Sequence, residues 1–134
     1  MAIRKITTPD NPEPPGGIFS NCLVVGDQIF LAGMTAGGKE FNPTGGDDAY
    51  EQCKAALNKV KVQLAAAGAT MADVVKMTAY ITDIAVRAPF GKARAEFFHE
   101  PLPCSTLIIV KGLVDPRLVV EVDCTAIRGA SKSA

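Results

Sequence analysis

Hydrophobic positions follow two rhythms along the chain. From Phe19 to Val25 and from Gln28 to Met34, two apolar segments are joined by Gly26-Asp27, a polar break of the kind that closes a β-hairpin. Further on, Ala49, Cys53, Ala56, Leu57, Val60, Leu64 and Ala67 recur at helical spacing, with Asp47 and Asp48 as first-turn acids and Gly68 as the stop. Lys54, Lys59 and Lys61 fall off that stripe, so the apolar side of this long helix must lie on a sheet. The rhythm then changes to two: Val75, Met77, Ala79 and Ile81 alternate with Lys76, Thr78, Tyr80 and Thr82, which predicts a strand from Val74 to Thr82. A second helix starts near Pro89, presents Phe90, Ala93 and Phe97 on one side and ends before Pro101. Cys104 to Val110 and Leu118 to Ile127 are two strongly apolar strands, separated by a loop containing Gly112, Asp115 and Pro116. The stretch 10–17, rich in proline and glycine, reads as a loop, and Ile3 to Thr7 as an extra edge strand.

The resulting order, β-β-α-β-α-β-β, predicts an α+β pair of layers with both helices on one face of a mixed sheet. The opposite face then needs a cover. Phe30, Ile108, Val119 and Ile127 make it too apolar for solvent, which predicts packing against another subunit; the alternative is a monomer with a partly greasy sheet.

Size and charge narrow the function. The 134 residues make one domain spanning 1–134. Fourteen basic and fourteen acidic residues cancel, so no field gathers phosphates, and neither nucleic acid nor membrane is expected as a partner. Apolar runs are too short to span a bilayer and Met1 to Asn11 lacks an apolar signal core, which predicts a cytoplasmic protein. Cys22, Cys53, Cys104 and Cys124 form no C-x-x-C pair and read as reduced thiols, with no metal site. The one histidine, His99, sits at a helix end, where it either complements the helix dipole or does chemistry. The glycines at 37, 38, 45 and 46 lack P-loop spacing and read as a flexible loop without a phosphate role.

The last strand carries the candidate chemistry. Leu118, Val120, Val122, Cys124 and Ala126 fall on one face, and Val119, Glu121, Asp123, Thr125 and Ile127 on the other. Covered by a second subunit, the two acids must be hydrogen-bonded, line a wet cleft or have raised pKa values; otherwise they stand on a solvated face. A partly buried Glu121 suits a general base or a water-orienting group. Cys104 follows Pro101-Leu102-Pro103 with no Lys or Arg near it in sequence, so it reads as a pocket-lining residue rather than a nucleophile.

Local sequences in this frame resemble the RidA family, also called YjgF/YER057c/UK114 or L-PSP endoribonuclease-like. The resemblance rests on the blocks from Gly26 to Met34, Ala66 to Lys76, Ile81-Thr82-Asp83, Ala95-Glu96-Phe97-Phe98 and Val119-Glu121-Val122, which run in family order from about Gly17 to Ile127. It implies a homotrimer of chorismate-mutase-like subunits with ligand clefts between them, and a cofactor-independent hydrolysis of imines or enamines to ammonia and a 2-keto acid. In the family an arginine clamps the substrate carboxylate, and here the pattern departs. Leu102-Pro103-Cys104-Ser105 matches the family's Pro-x-Arg-Ser, so Cys104 stands where the arginine would be. Phe19 replaces a cleft tyrosine, Ala32 a serine, and Gly91 an asparagine; Glu121 keeps the family residue.

Losing a bidentate, charge-assisted contact costs about several kcal/mol where the carboxylate is desolvated, so ordinary 2-imino acids should bind poorly. The implied cleft is lined by Phe19, Ala32, Met34, Phe90, Gly91, Cys104 and Ser105, with Glu121 orienting water. Three readings stand: a divergent deaminase for an imine or enamine without the usual carboxylate, a non-catalytic or regulatory trimer that binds a small molecule, and, remotely, an endoribonuclease.

Overall fold

The computed structural model describes residues 1–132. Strand β1 (Ile3–Lys5) leads through the proline-rich segment to β2 (Cys22–Val25), which pairs with β3 (Gln28–Leu31) across the Gly26-Asp27 turn. Gly26 has φ +60°, a left-handed conformation that its missing side chain permits without strain. The expected strand from Phe19 starts only at Cys22. Asn21 sends its side-chain amide back to the carbonyls of Asn11 and Pro12, 3.2 and 3.0 Å, so the approach is a buckled loop and Phe19 lies outside the sheet.

The second expected segment is also broken. Leu31 ends β3, Ala32 and Gly33 step aside, and β4 (Met34–Thr35) resumes the pairing with the last strand. Helix α1 (Ala49–Ala66) begins at Asp48, whose carboxylate accepts the Glu51 N–H at 2.9 Å. Its apolar stripe, Cys53, Ala56, Leu57, Val60 and Leu64, is fully buried. Two glutamines the periodicity did not mark are buried with it. Gln52 binds the carbonyls of Gly46 and Arg117 and the N–H of Val119, and Gln63 binds Asn11 and the Ile6 carbonyl, so their amides are satisfied within the core.

Strand β5 (Val74–Ile81) follows, then α2 (Arg87–Phe97) and β6 (Cys104–Ile109), which runs parallel to β5 as a helix-linked crossover requires. The expected alternation on β5 fails at its first step. A bulge between Val74 and Lys76 leaves Val75 as the extra residue, so Val74 turns inward and Val75 outward. Strand β7 (Val120–Ile127) closes the sheet in the order β1-β2-β3-β7-β5-β6, with β4 also pairing β7. The fold is the mixed α+β sheet with two helices that the sequence predicts. The 37–46 loop differs from expectation: Lys59 and Arg117 bind the carbonyls of Gly37 and Glu40, and Gln52 that of Gly46, which ties it to α1 and the segment before β7.

The two sheet faces differ sharply. Val24, Ile29, Met77, Ala79, Ile81, Val120 and Val122 lie fully buried under the helices. On the other face Phe30, Ile108 and Ile127 are 41%, 42% and 38% exposed, and no element among the described residues covers them. No helix among those residues is long and apolar enough to cross a membrane.

Candidate functional site

Glu121 sits on the open face near the start of β7, opposite Tyr80 on β5 and Thr35 on β4. The break at Ala32-Gly33 brings the backbone directly beneath it. A β-carbon at Gly33 would stand 2.7 Å from Glu121 Cδ and 2.8 Å from Oε2, so only glycine leaves room for the carboxylate. Two residues on, Asp123 accepts a hydrogen bond from the Tyr80 hydroxyl at 3.0 Å, which also holds the Tyr80 phenol above its usual pKa range. Asp123 is thus on the same face as Glu121 but already engaged. Glu121 is half-buried and, among the described residues, accepts no hydrogen bond. Burial pushes its carboxyl above the ordinary range, and the charge of Asp123 adds to the push.

Cys104 lies on the same open face but not beside Glu121. Glu121 registers with Tyr80, whereas Cys104 registers with Lys76, four residues along β5 and on the far side of it. Their Cα positions are therefore roughly 13 Å apart along the strands and 10 Å across them within one chain. Pairing also corrects the chemical setting of Cys104: a cation absent from its sequence neighbourhood, Lys76, is its partner across the ladder. The other three thiols are buried, and burial raises Cys53 and Cys124 to about 12.

The remaining predicted lining residues scatter. Met34 and Phe90, 3% and 1% exposed, belong to the core between sheet and helices rather than to a cleft, Met34 packing into it from β4 and Phe90 from α2. Phe19 is exposed ahead of β2, and Ala32 is half-buried, its N–H donating to the Asn21 carbonyl at 2.9 Å. Gly91 and Ser105 come together in a separate groove between α2 and the start of β6, a cavity of about 580 Å³ also lined by Arg94, Phe98, His99 and Glu100. His99, exposed just past the end of α2, is part of that rim.

Sequence reasoning missed Gly33, Tyr80, Lys76 and Arg94. Gly33 had a signal, an isolated glycine interrupting an apolar strand. The others acquire their neighbours only through strand pairing and helix docking. Among the described residues, no cluster of three His, Cys, Asp or Glu side chains is placed to hold a metal ion.

The family model for Endoribonuclease L-PSP matches residues 10–128, which takes in the hairpin, both helices and the Glu121 strand. The chain belongs to this family, the RidA or YjgF/YER057c/UK114 family. A Pseudomonas aeruginosa protein of unknown function has the same fold, with 37% identity, a TM-score of 0.85 and coverage of 95% of this chain and 93% of that one. A YjgF/YER057c/UK114 family member from Mycobacterium tuberculosis, Rv2704, matches with 29% identity and a TM-score of 0.79 over 94% of this chain and 99% of its own. Among sequence relatives, a 2-iminobutanoate/2-iminopropanoate deaminase from Dermatophagoides farinae is 28% identical over 82% of this chain and 85% of that protein. Some RidA-family proteins are therefore imine deaminases.

Proposed function

We propose that this RidA-family chain hydrolyses a reactive imine or enamine to a carbonyl product and ammonia, in clefts between the subunits of a homotrimer and without a cofactor. The observation that carries this reading is Glu121: a half-buried carboxylate with no hydrogen-bond donor among the described residues, set over a glycine, with a raised pKa. Such a group accepts a proton from water as the water oxygen attacks the imine carbon. The resulting carbinolamine takes the proton on nitrogen and expels ammonia, leaving the carbonyl, so that imine plus water equals carbonyl compound plus ammonia. An enamine enters the same sequence after protonation at carbon gives the imine.

The uncovered face carrying Phe30, Ile108 and Ile127 supports the trimer, because a partner sheet would remove that apolar surface from water. A neighbour would also have to supply the far wall of the cleft, since one chain keeps Glu121 and Cys104 apart. With a thiol rather than a guanidinium at position 104, the substrate is one without the 2-imino acid carboxylate. That same substitution favours the second reading, a trimer that binds a small molecule without turnover.

Ammonia release tests both, using imines formed in place by an amino-acid or amine oxidase. The wild type should accelerate hydrolysis of an uncharged or bulky imine, and Glu121→Gln should lose about 10²–10⁴-fold. Unchanged turnover in Glu121→Gln would remove Glu121 from the mechanism. Silence of the wild type on every imine, with Cys104→Arg gaining activity on 2-imino acids, would establish the binding reading. Light scattering should give a mass of three times 14.1 kDa.

A further inference from the structure

One hydroxyl stands close to Glu121 and is committed elsewhere. Tyr80 lies directly opposite Glu121 on β5, and Asp123 lies opposite Thr78, which makes Asp123 the diagonal neighbour of Tyr80 on the same face. An aromatic side chain reaches either partner, the direct one at about 5 Å between β-carbons or the diagonal one at about 7–8 Å. The Tyr80 hydroxyl takes the diagonal and donates to Asp123 Oδ2 at 3.0 Å. That hydrogen bond is the main cause of the raised pKa of the phenol, and the charge of Glu121 adds to it, so Glu121 lies within electrostatic reach of the hydroxyl. On the other flank β4 brings Thr35 and the backbone of Gly33, neither of them charged. The next cation along β5, Lys76, pairs with Thr125, four residues from Tyr80.

We propose that Asp123 is a positioning residue: it holds the Tyr80 hydroxyl away from Glu121 and so leaves the Glu121 carboxylate open to water. Its part in turnover rests on the deaminase reading; its hold on Tyr80 does not. A Tyr80 hydroxyl without Asp123 would face a half-buried carboxylate that accepts no hydrogen bond among the described residues, and would donate to it, because a hydrogen bond to a charged acceptor is the stronger kind. Such a bond stabilises the charged form of Glu121 and makes it a poorer base. Asp123 offers Tyr80 an equally charged acceptor on the diagonal, while Gly33 leaves Glu121 room on the β4 side. Two acids two residues apart on one face thus take different roles, one bound to a protein donor and the other free.

Variants of the full chain test this by ammonia release and, independently, by NMR titration of the Glu121 side-chain carboxyl. Asp123→Ala sets Tyr80 free. Turnover should fall about tenfold or more, the cost of breaking one hydrogen bond to a charged group before Glu121 acts. Glu121 should also titrate at lower pH than in the wild type, having lost a neighbouring charge and gained a donor. Asp123→Asn removes the same charge but keeps an oxygen for Tyr80, so it should retain more turnover than Asp123→Ala. Adding Tyr80→Phe to Asp123→Ala deletes the donor, which should restore turnover and bring the Glu121 titration part of the way back up. A double variant in which Glu121 titrates as in Asp123→Ala would overturn the proposal. In an active wild type, so would a double variant no faster than Asp123→Ala, or equal turnover in Asp123→Asn and Asp123→Ala. The expected order of titrations with no ammonia released by any form, the wild type included, would support the hold on Tyr80 and overturn the deaminase reading alone.

Discussion

The two faces of β7 and its neighbours carry the same backbone to opposite ends. Toward the helices, Met77, Ala79, Val120 and Val122 are sealed in a dry core where shape and volume decide everything. Toward the open side, Thr78, Tyr80, Glu121 and Asp123 alternate with those residues one for one, yet are half-exposed and polar. A period of two therefore places stability and chemistry a single residue apart. Replacing a residue on one face should unfold the protein; replacing its neighbour should change what the protein does.

The largest effect that would break this contrast is a matched pair on β5. Met77→Ala should lower unfolding free energy by about 2–5 kcal/mol, whereas Thr78→Ala should cost less than about 1 kcal/mol in the same denaturant titration. Equal losses would mean that the open face is packed as tightly as the core. Gly33→Ala should come next and should separate the two properties. The added methyl group meets the flexible end of Glu121, so the melting temperature should move by only a few degrees, while ammonia release falls about as far as in Glu121→Gln.

The smallest effect concerns pH. Folding raises the pKa of Glu121 from its ordinary 4.5, so between the two values the folded chain binds the proton that the unfolded chain releases. The stability of the wild type is fully kept below the unfolded value and declines as pH rises through the folded one. Glu121→Gln has no such group and should gain stability relative to the wild type as pH climbs from about 4 toward neutrality, in denaturation series at fixed protein concentration. A constant difference across that range would show that Glu121 is solvated like an ordinary surface acid.

Much of this arrangement is visible in the chain itself. The alternation of Leu118, Val120, Val122, Cys124 and Ala126 with Glu121 and Asp123 marks a strand with one buried and one polar face, because side chains on a strand have no third direction to take. The α1 stripe and its Asp48 start are equally local. Met34 and Phe90 misled for the same reason: an apolar residue near a cleft-forming segment looks identical whether it points into the cleft or the core.

Composition and periodicity thus determined the two layers, the hairpin, the helix that covers the sheet and the face on which the acids lie, since each depends on interactions within a few residues. Only the tertiary structure decided that Gly33 makes room for Glu121, that Asp123 is taken by Tyr80, that Lys76 stands beside Cys104 and that Arg94 meets Ser105 in a groove. Those pairings join residues from 11 to 88 positions apart, from Arg94 with Ser105 to Gly33 with Glu121. Their physical cause is strand register and helix docking, which the burial of the whole core selects at once.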